Sequence, residues 1–113
     1  MQIYKILRAQ EWATLRDLGT SPGAPIDQAD GFVHFSTADQ VQGTLEKHFA
    51  DVEDPLVLVA MDADLMGDSL KWEEARGGDK FPHLYRALSL ADVIWNREIL
   101  KGSDGHVLPD GVE

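Results

Sequence analysis

The chain has 113 residues, 43% of them hydrophobic, with no cysteine and with 20 acidic against 10 basic side chains, a formal charge of −10. That length fits one domain with its own core, and the absence of cysteine excludes disulfides, thiolate nucleophiles and cysteine-held metals. So acidic a surface repels nucleic-acid phosphates and anionic membranes, which leaves a small molecule or a protein as the expected partner.

The N-terminal stretch meets charge at Lys5, Arg8 and Glu11 and has no apolar signal segment. The longest apolar run, Leu56 to Met61, is too short to cross a bilayer, so a cytoplasmic location is expected. In chain order, Ile3 to Leu7 reads as a strand. Ala9 to Gly19 reads as a helix, with Trp12, Leu15 and Leu18 at helical spacing and Gly19 as its stop. Gly19 to Gln28, rich in Gly, Ser and Pro, reads as an ordered loop.

Asp30 to Ser36 is a second strand, with Phe32, His34 and Ser36 on one face and Val33 and Phe35 on the other. Thr37 and Gln40 match a capping box, so a helix should start at once and bury Val41, Leu45 and Phe49. His34 then stands just before a strand-to-helix junction, where free amides at the helix start can bind anions. Leu56 to Met61 suits a central strand buried on both faces, and Asp62 to Gly67 a short helical turn. Leu70 to Glu74 reads as a strand with Leu70 and Trp72 inward, and Ala75 to Asp79 as a glycine turn. Pro82 makes Lys80 to Arg86 an edge or a loop. Leu90 to Leu100 reads as the last strand, with Val93 and Trp95 on the core face. The fold expected is α+β: one compact domain over residues 1–100, a split mixed or antiparallel sheet with two main helices, and a flexible tail over 101–113.

Of the four histidines, His106 lies in the polar tail and His48 on the flank of a helix. His34 and His83 each sit in an aromatic-rich motif, GFVHFST and FPHLYR. Each could be a hydrogen-bonded structural residue, but two such motifs in a small domain favour a site. No HxH, HxxxH or HExxH spacing occurs, so no metal is expected, although distant Glu73, Glu74 or Asp79 could complete a triad. Ser36 and Ser89 lie near histidines without a G-x-S-x-G elbow, which disfavours a hydrolytic triad. Four of the ten cations, Lys71, Arg76, Lys80 and Arg86, flank His83. They either hold a phosphate, with Trp72 or Tyr85 stacking on a ring, or pair with Glu73, Glu74 and Asp79 on a solvated face.

The strings ADGFVHFSTADQV, LVLVAMDADLMGDSLKWE and GGDKFPHLYRALSLADV together resemble the bacterial family called domain of unknown function 952, from Ile3 to about Leu100. That family is similar in fold to the ADP-ribosyltransferase superfamily, in the histidine–histidine–hydrophobic branch with the tRNA 2′-phosphotransferases. The resemblance implies an ADP-ribosylation-like domain with NAD as co-substrate. His34 would hydrogen-bond a ribose hydroxyl, the Phe35 backbone would meet the nicotinamide amide, and Ser36 and Thr37 would stand beside it. His83 would be the second signature histidine, with Tyr85 a stacking partner. Val93 would take the third, hydrophobic position, and Glu98 would imitate a catalytic glutamate. Lys71, Arg76 and Arg86 would serve the pyrophosphate. Two departures stand out. Phe35 follows the histidine where transferring members carry glycine, and the acidic surface disfavours tRNA chemistry. The implied function is therefore NAD or ADP-ribose binding, with ADP-ribosyl transfer if Glu73 or Glu98 supplies a carboxylate at the ribose. The alternative is a non-enzymatic small-ligand or protein-binding module that retains the fold.

Overall fold

The computed structural model describes residues 1–103 and 105–112, and the side chain of Arg76 lies outside the described residues. The strands are β1 (Gln2–Arg8), β2 (Thr20–Ser21), β3 (Val33–His34), β4 (Leu56–Asp62), β5 (Leu70–Glu74), β6 (Lys80–Leu84), β7 (Leu88–Ser89), β8 (Val93–Gly102) and β9 (Gly105–Val107). The helices are α1 (Ala9–Leu18), α2 (Pro25–Asp30) and α3 (Val41–His48), with short 3₁₀ turns including Ala63–Leu65 and Leu90–Asp92.

The main sheet runs in the order β1-β4-β8-β9, every pairing antiparallel. Its central strand β4 carries the apolar run and feeds two cores. Ile3, Leu7, Val59 and Met61 point into one, with Leu15 of α1. Tyr4, Ile6, Leu58 and Ala60 point into the other, with Val41 and Leu45 of α3. The period of two along β1 and β4 makes this possible, because neighbouring side chains leave opposite faces. A second antiparallel sheet runs β3-β6-β5. The two sheets touch where β3 ends: Ser36 and Tyr4 exchange backbone hydrogen bonds of 2.8 and 2.9 Å. The chain thus crosses from one sheet to the other within three residues, and this junction builds the site.

The α+β class holds, and the β-structure is divided into separate antiparallel sheets with no parallel pairing among the described residues. Several local expectations need correction. The stretch read as a loop contains α2, a helix of six residues. Pro82 lies in β6, the middle strand of its sheet, not at an edge. Its carbonyl accepts from the Phe35 N–H at 3.0 Å, and the reciprocal bond to Phe35, which a proline cannot donate, is the one missing where β3 ends. Trp72 is 39% exposed and not inward. Val93 and Trp95 face different cores, because a bulge opposite Ala60 and Met61 inserts Ile94 between them. The helix after His34 begins at Val41, with Gln40 as its N-cap, three residues later than the capping box suggested. Only half of that box forms, the Thr37 N–H donating to Gln40 Oε1 at 3.0 Å. Past residue 100, where a frayed tail was expected, β8 runs to Gly102, β9 pairs back on it, and Leu108 and Val112 pack on the second core.

Candidate functional site

His34 and His83 are direct cross-strand partners of β3 and β6, their rings 5.5 Å apart and edge to face. The 49 positions between them vanish because the sheet register sets them opposite each other on one face. Phe32 stacks on His83 at 4.2 Å and leans on His34 and Tyr85 at 4.7 and 5.2 Å.

Each imidazole is held by a carboxylate at Nδ1. His34 donates to Asp27 Oδ1 over 2.7 Å, and its Nε2 lies 3.0 Å from Asp30 Oδ2. His83 Nδ1 lies 2.8 Å from Glu73 Oε1, which also accepts from the Tyr85 hydroxyl at 2.6 Å. A carboxylate only accepts, so each Nδ1 carries its proton. The Nε2 of His83, on a residue 6% exposed, is left without a hydrogen-bond partner among the described residues and borders the cleft. The Tyr85 and His83 hydrogen bonds hold the Glu73 carboxyl below the usual range, and Glu73 in turn pushes the Tyr85 phenol up.

Behind His34 lies a buried ion pair. Lys5 Nζ reaches both Asp27 oxygens, at 3.0 and 2.8 Å, and the His34 carbonyl at 2.9 Å. Asp27 is 1% exposed and also accepts the backbone N–H groups of Ala24 and His34. Burial alone would raise its carboxyl, but the hydrogen bond from His34 and the charge and hydrogen bond of Lys5 override that and bring it down to about 2. Gly23 makes room for this carboxylate, since a Cβ there would stand 2.5 Å from Asp27 Oδ2.

The cleft beside the histidines encloses about 550 Å3 between β1, β3, the start of α2 and the end of α3. That is the size range of small-ligand sites. Its basic lining is Lys5, Arg8, Lys47, His34, His48 and His83, with no Asp or Glu among the described residues. Phe81, Ile26 and Phe49 supply apolar wall. No cluster of three His, Asp or Glu placed to hold a metal ion occurs among the described residues.

Of the residues singled out in the sequence, His34, His83, Tyr85 and Lys71 fall together, Lys71 being the β5 partner of His83. Phe35 borders the cleft with its ring in the core at 2% exposure, and its N–H is engaged by Pro82. Ser36 bonds Thr44 through their hydroxyls at 2.8 Å, and Thr37 serves the turn into α3. Arg86 is turned away, on Asp92 at 2.7 Å and the Ala87 carbonyl. Glu98 pairs with Val57 on β8, with β4 between it and β1. Sequence reasoning missed Asp27, Lys5, Arg8 and Lys47. Lys5 had a signal, since alternation puts it on the core face between Ile3 and Leu7.

No curated protein matches this chain. A family model described as "Protein of unknown function (DUF952)" matches residues 6–96. The X-ray structure of protein CC0527 from Caulobacter crescentus is similar, with 42% identity and a TM-score of 0.88, covering 94% of this chain and 92% of that one. The solution NMR structure of the same protein gives a TM-score of 0.81 over 93% and 90% of the two chains. A model match over most of the chain, with relatives this similar over nearly all of it, means that the chain belongs to the DUF952 family.

Proposed function

We propose that the cleft binds a nucleotide of the NAD or ADP-ribose type, with the paired histidines gripping the ribose. The observation that carries this reading is the pair itself: two imidazoles set opposite each other, each oriented at Nδ1 by a carboxylate, beside a cavity of ligand size. His83, oriented at Nδ1, offers its open Nε2 to a sugar hydroxyl, while His34 Nε2 would exchange the exposed Asp30 carboxylate for one; pre-orientation lowers the ordering cost of binding. The resemblance to the ADP-ribosyltransferase fold supplies the ligand class.

The reading is one of binding, with transfer as the second step. Transfer needs a carboxylate beside the ribosyl cation. Glu98 lies two strands from β1, and Glu73 is engaged by His83 and Tyr85. That placement favours a module that holds a nucleotide without acting on it.

A thermal-shift series tests the reading. Millimolar ADP-ribose or NAD should raise the melting temperature, as any ligand taken up only by the folded state does. His34→Ala should lose the shift. It should also cost about 1 kcal/mol without ligand, since Asp27 gives up one donor. An unchanged melting temperature of the wild-type protein with every nucleotide would end the nucleotide reading.

A further inference from the structure

We infer that Arg8 and Lys47 form a phosphate-binding subsite where the end of β1 and the last turn of α3 line the cleft. The inference deepens the nucleotide reading of the same cleft but rests on separate residues. A chain with twice as many acidic as basic side chains would be expected to bring carboxylates into any large cavity. Among the described residues none lines this one. Its cations come instead from two unrelated elements, β1 and the last turn of α3.

Basic residues in the last turn of a helix oppose its dipole, which accounts for Lys47 by itself. It does not account for Arg8, which ends a strand and whose guanidinium lies 5.7 Å over the Phe49 ring, two residues beyond Lys47. Neither the Arg8 guanidinium nor Lys47 has a carboxylate within ion-pair distance among the described residues; Lys71, Lys80 and Arg97 have none either, but of these five only Arg8 and Lys47 line the cleft. Two cations on the walls of one cleft that no carboxylate lines, one of them over an aromatic ring, suit a multiply charged phosphate group. Arginine offers it a planar fork and lysine a point charge. The pyrophosphate of a dinucleotide would then lie against Arg8 and Lys47. Arg86, assigned to that role by resemblance, is held by Asp92.

Titration of the full chain with inorganic pyrophosphate, followed by NMR chemical shifts, tests this. Arg8→Gln and Lys47→Gln should each weaken binding about tenfold, while Lys80→Gln, which removes an equal charge outside the cleft, should leave it within twofold. His34→Ala should keep pyrophosphate binding and lose the extra affinity for ADP-ribose. Equal weakening by Lys80→Gln, or no effect of Arg8→Gln and Lys47→Gln, would overturn the subsite. ADP-ribose binding that ignores those two residues would overturn the subsite and leave the nucleotide reading standing. Pyrophosphate binding through them, with ADP-ribose no tighter, would leave the subsite and end the nucleotide reading.

Discussion

Lys5 and Asp27 meet from 22 positions apart and are almost wholly buried, and their meeting fixes His34. Taking two charges out of water is costly, and the arrangement persists because Asp27 accepts from four donor groups at once, Lys5 Nζ, the Ala24 and His34 N–H and His34 Nδ1. Asp27→Asn should therefore cost about 3–5 kcal/mol, since the buried Lys5 would lose its counter-charge. Urea unfolding would show it as a lower midpoint with an unchanged slope; a loss under about 1 kcal/mol would mean that the pair is not held as described. The pH dependence follows from the lowered carboxyl. Its value is about 2 in the folded chain against 3.8 ordinarily, so the stabilisation is complete above pH 4 and is lost as pH falls from 4 to 2. The amount is about 2 kcal/mol. Wild type and Asp27→Asn unfolded across that range should converge in stability as pH falls, and parallel curves would contradict the assignment. Little of this was legible in the sequence. The alternation of β1 puts Lys5 inside, but no local rule names a partner in a distant helix.

At the scale of elements, the strands with strong apolar runs were legible, as were both longer helices. The misreadings share a cause, which is that short elements are decided by tertiary contacts and not by period. Helix α2 has its start and stop signs, with Pro25 at the first helical position, Asp27 at the third and Gly31 closing it at φ 84°. Six residues show too little periodicity to outweigh the Gly and Pro around them. Pro82 misled because a proline argues against a central strand, whereas here the one bond it cannot donate falls at the last pairing of β3, where the chain turns to the main sheet. Gly23 is the element-scale test. Its φ of 91° disfavours any side chain, and a methyl group would strike the Asp27 carboxylate. Gly23→Ala should cost about 1–3 kcal/mol from backbone strain and the displaced carboxylate. It should also disturb the His34 imidazole resonances, which a strained loop remote from the site would leave alone.

Across the whole molecule, a surface that repels anions surrounds a cleft whose walls carry cations and imidazoles. The cleft forms where the strand after Phe32 crosses between sheets, so both sheets and the end of α3 contribute to it. The two histidine motifs were visible in the sequence, and the expectation that His34 and His83 face one cleft agrees with their pairing across β3 and β6. Their cations were sought nearby in sequence, between residues 71 and 86. The fold instead brings Arg8 and Lys47 from strands and helices that local reading cannot join. Binding of a polyanion here should weaken as salt rises, because the attraction is between charges at an open surface. Isothermal titration at two ionic strengths would show it, and salt-independent affinity would argue for an apolar ligand. The central claim is that His34 and His83 jointly contact a nucleotide. The most direct measurement is the ¹⁵N resonances of the two imidazoles during titration with ADP-ribose. The account predicts that both rings shift together and saturate at one ligand per chain, with the free Nε2 of His83 moving furthest. Saturable binding that leaves both imidazoles unmoved would contradict it.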